Sequence, residues 1–332
     1  MTDGTADPPQ SGAERPVETA TIDPRADRVT RAFRVAYDGR EYAGFQRQPH
    51  ARTVEGTLLR ALADHGLIDR GDGATHAVPP GYAAAGRTDA GVSALAQTVA
   101  FAAPPWLTPR AFNGHLPGSI RVWAAADVAD GFHATHHATR RTYRYHLYAP
   151  VSGTGPASGR PGTGGGVAGG WTDDGGGIDD DAVRDALARL SGEHDFHNLT
   201  TDDRGTVRDL DATATREDDI LVIEAAADGF PRALVRRIVA VAAAVGRGTA
   251  ESTLVDRLLD DAPVPGEHGV GPAAAEPLVL WDVTYDGVTF EVDEEAAERT
   301  VEAFDERYRE ARHAAAVTGR IRDHVGSAAS PE

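Results

Sequence analysis

Between Val151 and Gly177 the chain cannot build a core. Twelve of those 27 residues are glycine, and most of the others are Pro, Ser, Thr and Ala. Glycine loses the most backbone freedom on ordering and brings no side chain to bury. Such a stretch is expected to be a flexible linker or surface insertion. It is not a phosphate loop, because no Lys-Ser/Thr follows it and no buried strand precedes it. Any core must therefore come from the segments on either side, 29–150 and 178–290, which are of comparable size. Residues 1–28 are rich in Pro, Thr, Asp and Ala without an apolar period, so they are expected to be a disordered tail. Residues 291–332 are expected to be a C-terminal helix and tail.

Both segments carry alternating strand and helix patterns. In the first, Phe33, Val35 and Tyr37 alternate as a half-buried strand, and Asp38-Gly39 turns it. A helix is predicted from about Thr53, with Val54, Leu58, Leu59 and Leu62 on its core face. Thr108-Pro109 reads as an N-cap followed by a first-turn proline. Tyr143, Tyr145 and Leu147 alternate with Arg144 and His146 in a later strand. In the second segment an acidic start at Asp179–Asp181 favours a helix, with Val183, Leu187 and Leu190 buried. Leu221, Ile223 and Ala225 predict a strand. Pro231 is expected in the first turn of an apolar helix carrying Leu234, Val235, Ile238 and Val241. A charged helix is predicted over 293–313, followed by a frayed end from Val325 to Glu332.

The chemistry concentrates in Gly86-Arg87-Thr88-Asp89-Ala90-Gly91-Val92. The run Tyr82–Ala85 leads into it, and the strand-like Gln97–Phe101 follows. Two glycines allow a tight turn and close approach by another chain. A carboxylate on such a loop can act as nucleophile or base, with an arginine keeping it ionised or holding a phosphate.

This heptapeptide resembles the signature of the tRNA pseudouridine synthase A (TruA) family. So do Tyr42–Pro49, Phe112–Pro117, Phe132–Tyr145, Gly192–Phe196, Gly229–Val239 and Ala273–Leu280, in the same order. Thr135 stands where the family usually has Arg, and Pro277 where it has Gly. The resemblance implies an α+β fold: two similar halves sharing a largely antiparallel sheet, helices on one side, and an active-site cleft between the halves. It implies isomerisation of uridine to pseudouridine in the tRNA anticodon stem-loop, positions 38–40, by a homodimer with no cofactor and no metal. By position, Asp89 takes the catalytic role and Tyr143 covers the uracil. Arg236 pairs with Asp89, and Arg87 enters the space left by the flipped base or holds the backbone.

Composition bears on the alternatives. No cysteine excludes disulfides, thiol nucleophiles and thiolate metal sites. No apolar run reaches eighteen residues, so no membrane partner is expected, and a cytoplasmic location is the default. The net charge is −18, and all 33 basic residues are arginine against 51 acids. That balance is expected of a halophilic protein. It argues against RNA unless a small basic cleft sits inside an acidic shell, and Arg140, Arg141, Arg144, Arg232, Arg236 and Arg237 are candidates for it. His133 and His137 lack the acidic ligands a metal would need. Three other functions are weighed: a pseudouridine synthase for another RNA site, a non-catalytic RNA-binding protein, and a carboxylate hydrolase. The last requires a second acid facing Asp89, and Asp195 is the candidate.

Overall fold

The computed structural model describes residues 28–69, 77–150, 177–265 and 269–329. The predicted N-terminal tail, apart from Arg28, and the glycine-rich stretch, apart from Gly177, lie outside the described residues.

Strands β1 (Val29–Tyr37), β2 (Ala83–Ala84), β3 (Ser93–Ala103), β4 (Ile120–Asp127) and β5 (Ala138–Tyr148) precede the glycine-rich stretch. Strands β6 (Gly192–Asp195), β7 (Val207–Glu217), β8 (Ile220–Ala227), β9 (Leu278–Tyr285) and β10 (Glu291–Val292) follow it. They form one sheet in the order β10-β4-β1-β3-β9-β5-β8-β7-β6, with β2 added beside β3. All pairings are antiparallel except β3 with β9, which run parallel through Ser93↔Val279 and Ala94↔Leu280. That short parallel contact is the seam between two α+β halves.

Each half buries its own helices. Helix α1 (Val54–Asp64) is capped by Thr53, whose side chain accepts from Gly56 N. Its Val54, Leu58, Leu59 and Leu62 join Phe33, Val35, Tyr37, Val99 and Phe101 in the first core. Helix α2 (Pro109–Asn113) has Thr108 as N-cap and Pro109 in its first turn. In the second core α3 (Asp180–Leu190), capped by Asp179, packs with α4 (Leu234–Gly246) and α5 (Thr253–Leu259). The cores do not divide at residue 150. Tyr145 and Leu147 of β5 belong to the second core, whereas Leu280, Val283 and Tyr285 of β9 belong to the first. The sequence gap and the spatial seam are therefore different places.

Two helix ends differ from expectation. Helix α4 begins at Leu234, and its N-cap Ala233 has φ 55°. Pro231 thus lies in the turn before the helix, where its carbonyl accepts from Leu234 N. Helix α6 runs Glu294–Ala329, 36 residues, so Val325 to Ala329 are helical rather than frayed. It crosses the end of the sheet where β1 stops and β3 and β9 begin. Arg307 fastens it there, bonded to Asp38 at 2.8 Å and Glu41 at 3.2 Å. No helix among the described residues is long and apolar enough to cross a membrane.

Candidate active site

The heptapeptide lies at the seam, boxed in by three other segments. From one side Gly44 approaches with φ 96°. Phe45 N donates to Thr88 O at 3.0 Å, and Gly91 N donates to Tyr42 O at 3.3 Å. From the other side Ala275 and Glu276 lie against Gly91. From below, Tyr37 and Thr88 share a buried hydroxyl–hydroxyl bond of 2.8 Å, and Gln97 Nε2 donates to Gly86 O at 2.9 Å. Thr88 is buried, while Arg87 on one side is exposed and Asp89 on the other is half-exposed. The loop thus anchors its middle hydroxyl and presents the flanking cation and carboxylate outward.

Asp89 meets an arginine from the other half. Arg236 Nη1 donates to Asp89 Oδ2 at 2.9 Å, and Arg236 Nε donates to Ala273 O at 2.6 Å. Arg236 stands in the first turn of α4, within an apolar helix that leaves it 17% side-chain exposure. An arginine so placed needs an acceptor. The carboxylate supplies it, while Ala273 O fixes the plane of the fork. The next residue, Arg237, is held on carbonyls instead: Nε on Val270 O at 3.2 Å and Nη1 on Arg232 O at 3.3 Å. Burial lowers its pKa and Arg236 adds to the shift, while Asp89 opposes it.

Tyr143 forms the wall beside the pair. It packs on both cores and meets Phe230 edge-on, with ring centroids 5.2 Å apart. Burial pushes its phenol up to about 12; Arg141 pulls the other way and Asp89 adds to the rise. The phenol is therefore neutral at ordinary pH. It can offer a ring face and a hydroxyl but not a base.

Arg87 makes no hydrogen bond or ion pair with any described residue, so its guanidinium is free for a ligand. The arginine cluster around β5 splits by strand alternation. Arg140 pairs with Asp211, and Arg144 binds Glu224 at 2.7 Å and stacks over Trp281. Only Arg141 shares the face of Tyr143. Asp195 sits on edge strand β6, with Thr206 and the His197 amide lowering its pKa against burial. It closes a turn there. Among the described residues no group of His, Asp or Glu is arranged to hold a metal ion.

Two contributors, Gly44 and Phe230, carry no mark of their own in the sequence, and a third, Arg141, is marked there only as one of a basic cluster. Gly44 lay inside a recognised segment, and its positive φ is invisible without coordinates. Phe230 lies inside the segment Gly229–Val239, and its edge contact with Tyr143 joins residues 87 apart, which no local pattern encodes. Alternation separates Arg141 from Arg140 and Arg144, because it stands two residues before Tyr143 on one strand.

Two halves on a shared antiparallel sheet, with the charged loop at their seam, put the chain in the pseudouridine synthase class. The family described as tRNA pseudouridine synthase matches residues 186–286. The chain is 50% identical over 295 residues to tRNA pseudouridine synthase A of Haloarcula marismortui, covering 89% of this chain and 98% of that protein. It is 52% identical to the same enzyme of Natronomonas pharaonis, covering 88% and 98%. With that of Thermococcus kodakarensis the identity is 33%, over 87% and 97%. The chain belongs to the tRNA pseudouridine synthase A family, isomerases acting on tRNA. The first two relatives are haloarchaeal, in keeping with a halophilic charge balance.

Proposed function

We propose that this chain isomerises uridine to pseudouridine at positions 38–40 of the tRNA anticodon stem-loop, with Asp89 as the catalytic carboxylate. The observation that carries the reading is the Asp89–Arg236 ion pair, closed across the seam at 2.9 Å. The reaction breaks the N1–C1′ bond and forms a C5–C1′ bond. A hydrogen leaves C5 and N1 takes one up, so the balance requires no oxidant, metal or second substrate. Asp89 is presented to the nucleotide with one oxygen held by Arg236, a cation at every ordinary pH, and the other free to act. Tyr143, neutral and edge-packed on Phe230, offers the uracil a rigid face. Arg87, exposed beside Asp89, is suited to the gap left by a flipped base, since extrusion costs a few kcal/mol that a replacement contact offsets. Arg237, held on neutral carbonyls, keeps a positive charge in the cleft for the phosphates. We take the working unit to be a homodimer.

A second reading, the same chemistry at another RNA position, is favoured by Thr135. Its hydroxyl donates to Ala84 O, so this position offers no cation where the family usually has one.

The test is tritium release from tRNA labelled at uridine C5, in molar KCl, with wild type and Asp89→Asn. Formation of a C5–C1′ bond must release that hydrogen. Release by wild type alone supports the reaction and the carboxylate together, and sequencing the product fixes the position. Binding without release by either protein would return the chain to the non-catalytic RNA-binding reading.

A further inference from the structure

We infer that Arg141 is a positioning residue that sets the spacing across the cleft, by tying three chain segments to one buried guanidinium. Arg141 is 8% exposed. Its Nε and Nη2 donate to Ala85 O at 3.1 and 2.7 Å. Nη2 also donates to Thr135 O at 2.8 Å, and Nη1 donates to Asp228 O.

The three acceptors occupy consequential places. Ala85 stands four residues before Asp89 on the chain entering the catalytic loop. Asp228 stands two residues before Phe230, against which Tyr143 packs, and eight before Arg236. Thr135 is the turn whose hydroxyl returns to Ala84 O, and its neighbour Ala134 O accepts from Tyr285 at 2.8 Å. The carboxylate, its arginine partner and the base-facing tyrosine therefore all descend from segments that meet at one side chain.

The acceptors are all neutral. The other deeply buried arginine of the sheet, Arg34, has Asp282 at 3.0 Å. No carboxylate of the described residues lies within ion-pair distance of Arg141. A buried cation without a counter-ion is costly, so core stability does not account for it. Its fork of five N–H groups in a fixed plane does, because it is the one side chain that can hold three carbonyls from different directions. A lysine would keep the charge but not the planar fork. The field of Arg141 also reaches Tyr143, so the clamp and the wall of the cleft are coupled electrostatically as well.

The inference rests on the proposed activity for its kinetic readout, and Arg141→Lys is the variant to make. Turnover is measured by C5 tritium release. Hydrogen exchange is followed at residues 86–92 and 229–236, and tRNA affinity by filter binding. The expected result is a fall in kcat of about 10- to 100-fold, since small misplacements at a reacting centre have effects of that size. KM and tRNA affinity should stay within about twofold, and exchange should quicken in both segments together. In Arg141→Ala, added guanidinium ion should restore part of the turnover, and Arg141→Lys carries the test if that variant does not fold. Unchanged kcat per folded molecule, or a loss confined to KM, would overturn the inference. If wild type itself releases no tritium, the proposed reaction fails instead. Exchange then decides the clamp, with faster exchange in both segments supporting it and unchanged exchange overturning it.

Discussion

Gly44→Ala is the most discriminating perturbation of the loop that carries Asp89, because it touches the reaction only through backbone. Gly44 has φ 96°, a conformation that L side chains rarely adopt. A Cβ there would lie 3.0 Å from Thr88 O, 3.2 Å from Ala90 N and 3.3 Å from Asp89 C. Ordinary contact begins near 3.4 Å, so the loop or the glycine must give by about 0.4 Å. Backbone strain of this kind costs about 1–3 kcal/mol, and each kcal/mol lowers Tm by about 2–4 °C in a domain of this order of size. Misplacement by 1 Å costs about 100-fold in rate, so a few tenths of an ångström costs about five- to tenfold. The expected outcome is a Tm lower by several degrees and a kcat lower by that factor in the tritium assay. The tRNA affinity should hold, because Gly44 lies behind the loop. A lower Tm with unchanged kcat would show that Asp89 is not held by this contact, and the positional argument would fail.

Two further variants separate roles within the cleft. Arg87→Ala should reduce turnover at least tenfold and shift stability by less than about 0.5 kcal/mol, because the side chain is exposed and bonded to no described residue; thermal melts beside the tritium assay check both halves of the statement. Tyr143→Phe should keep turnover within a few-fold, since the edge contact with Phe230 survives, whereas Tyr143→Ala should abolish it. The phenols have a pH signature too. Burial pushes both Tyr143 and Tyr285 up to about 12, so between pH 10 and 12 the unfolded chain has lost protons that the folded chain keeps. Stability must fall with rising pH in that window, and denaturation midpoints of Tyr143→Phe should fall less steeply, by one proton.

Much of this arrangement was legible in the sequence because it is written in local patterns. Thr53 and Thr108 cap α1 and α2, since a short hydroxyl followed by an apolar period has few other uses. The heptapeptide announced a charged loop through its two glycines. The pairing of Asp89 with Arg236 was reachable from the apolar stripe around the arginine, which left it in need of a partner. Other features were not local. The exchange between halves, with Tyr145 and Leu147 of β5 in the second core and Leu280 and Val283 of β9 in the first, depends on sheet order, which alternation cannot encode. The late start of α4 follows from Ala233 in a left-handed conformation, which alanine does not advertise. The C-terminal half of α6 leaves no mark in the sequence because its apolar residues are too sparse to define a packed face, and Val317, Ile321 and Val325 are about 60% exposed.

The charge problem resolves through the choice of acceptor. On the shell, arginines pair with carboxylates: Arg31 with Asp127, Arg140 with Asp211, Arg184 with Asp181, Arg299 with Glu295. In the cleft, Arg141 and Arg237 are held by carbonyl oxygens, and Arg87 is bonded to no described residue. A carbonyl satisfies the N–H groups without cancelling the charge, so the excess of acids outside and the positive sign inside do not compete for the same partners. Salt separates them further. At 1 M the screening length is about 3 Å, which removes the repulsion of exposed carboxylates beyond contact, while buried or half-buried charges are screened much less. An acidic shell over a carbonyl-held basic cleft is therefore consistent with RNA binding under the conditions the composition implies. It requires only that the tRNA reach the seam, where Asp89 is bonded to Arg236.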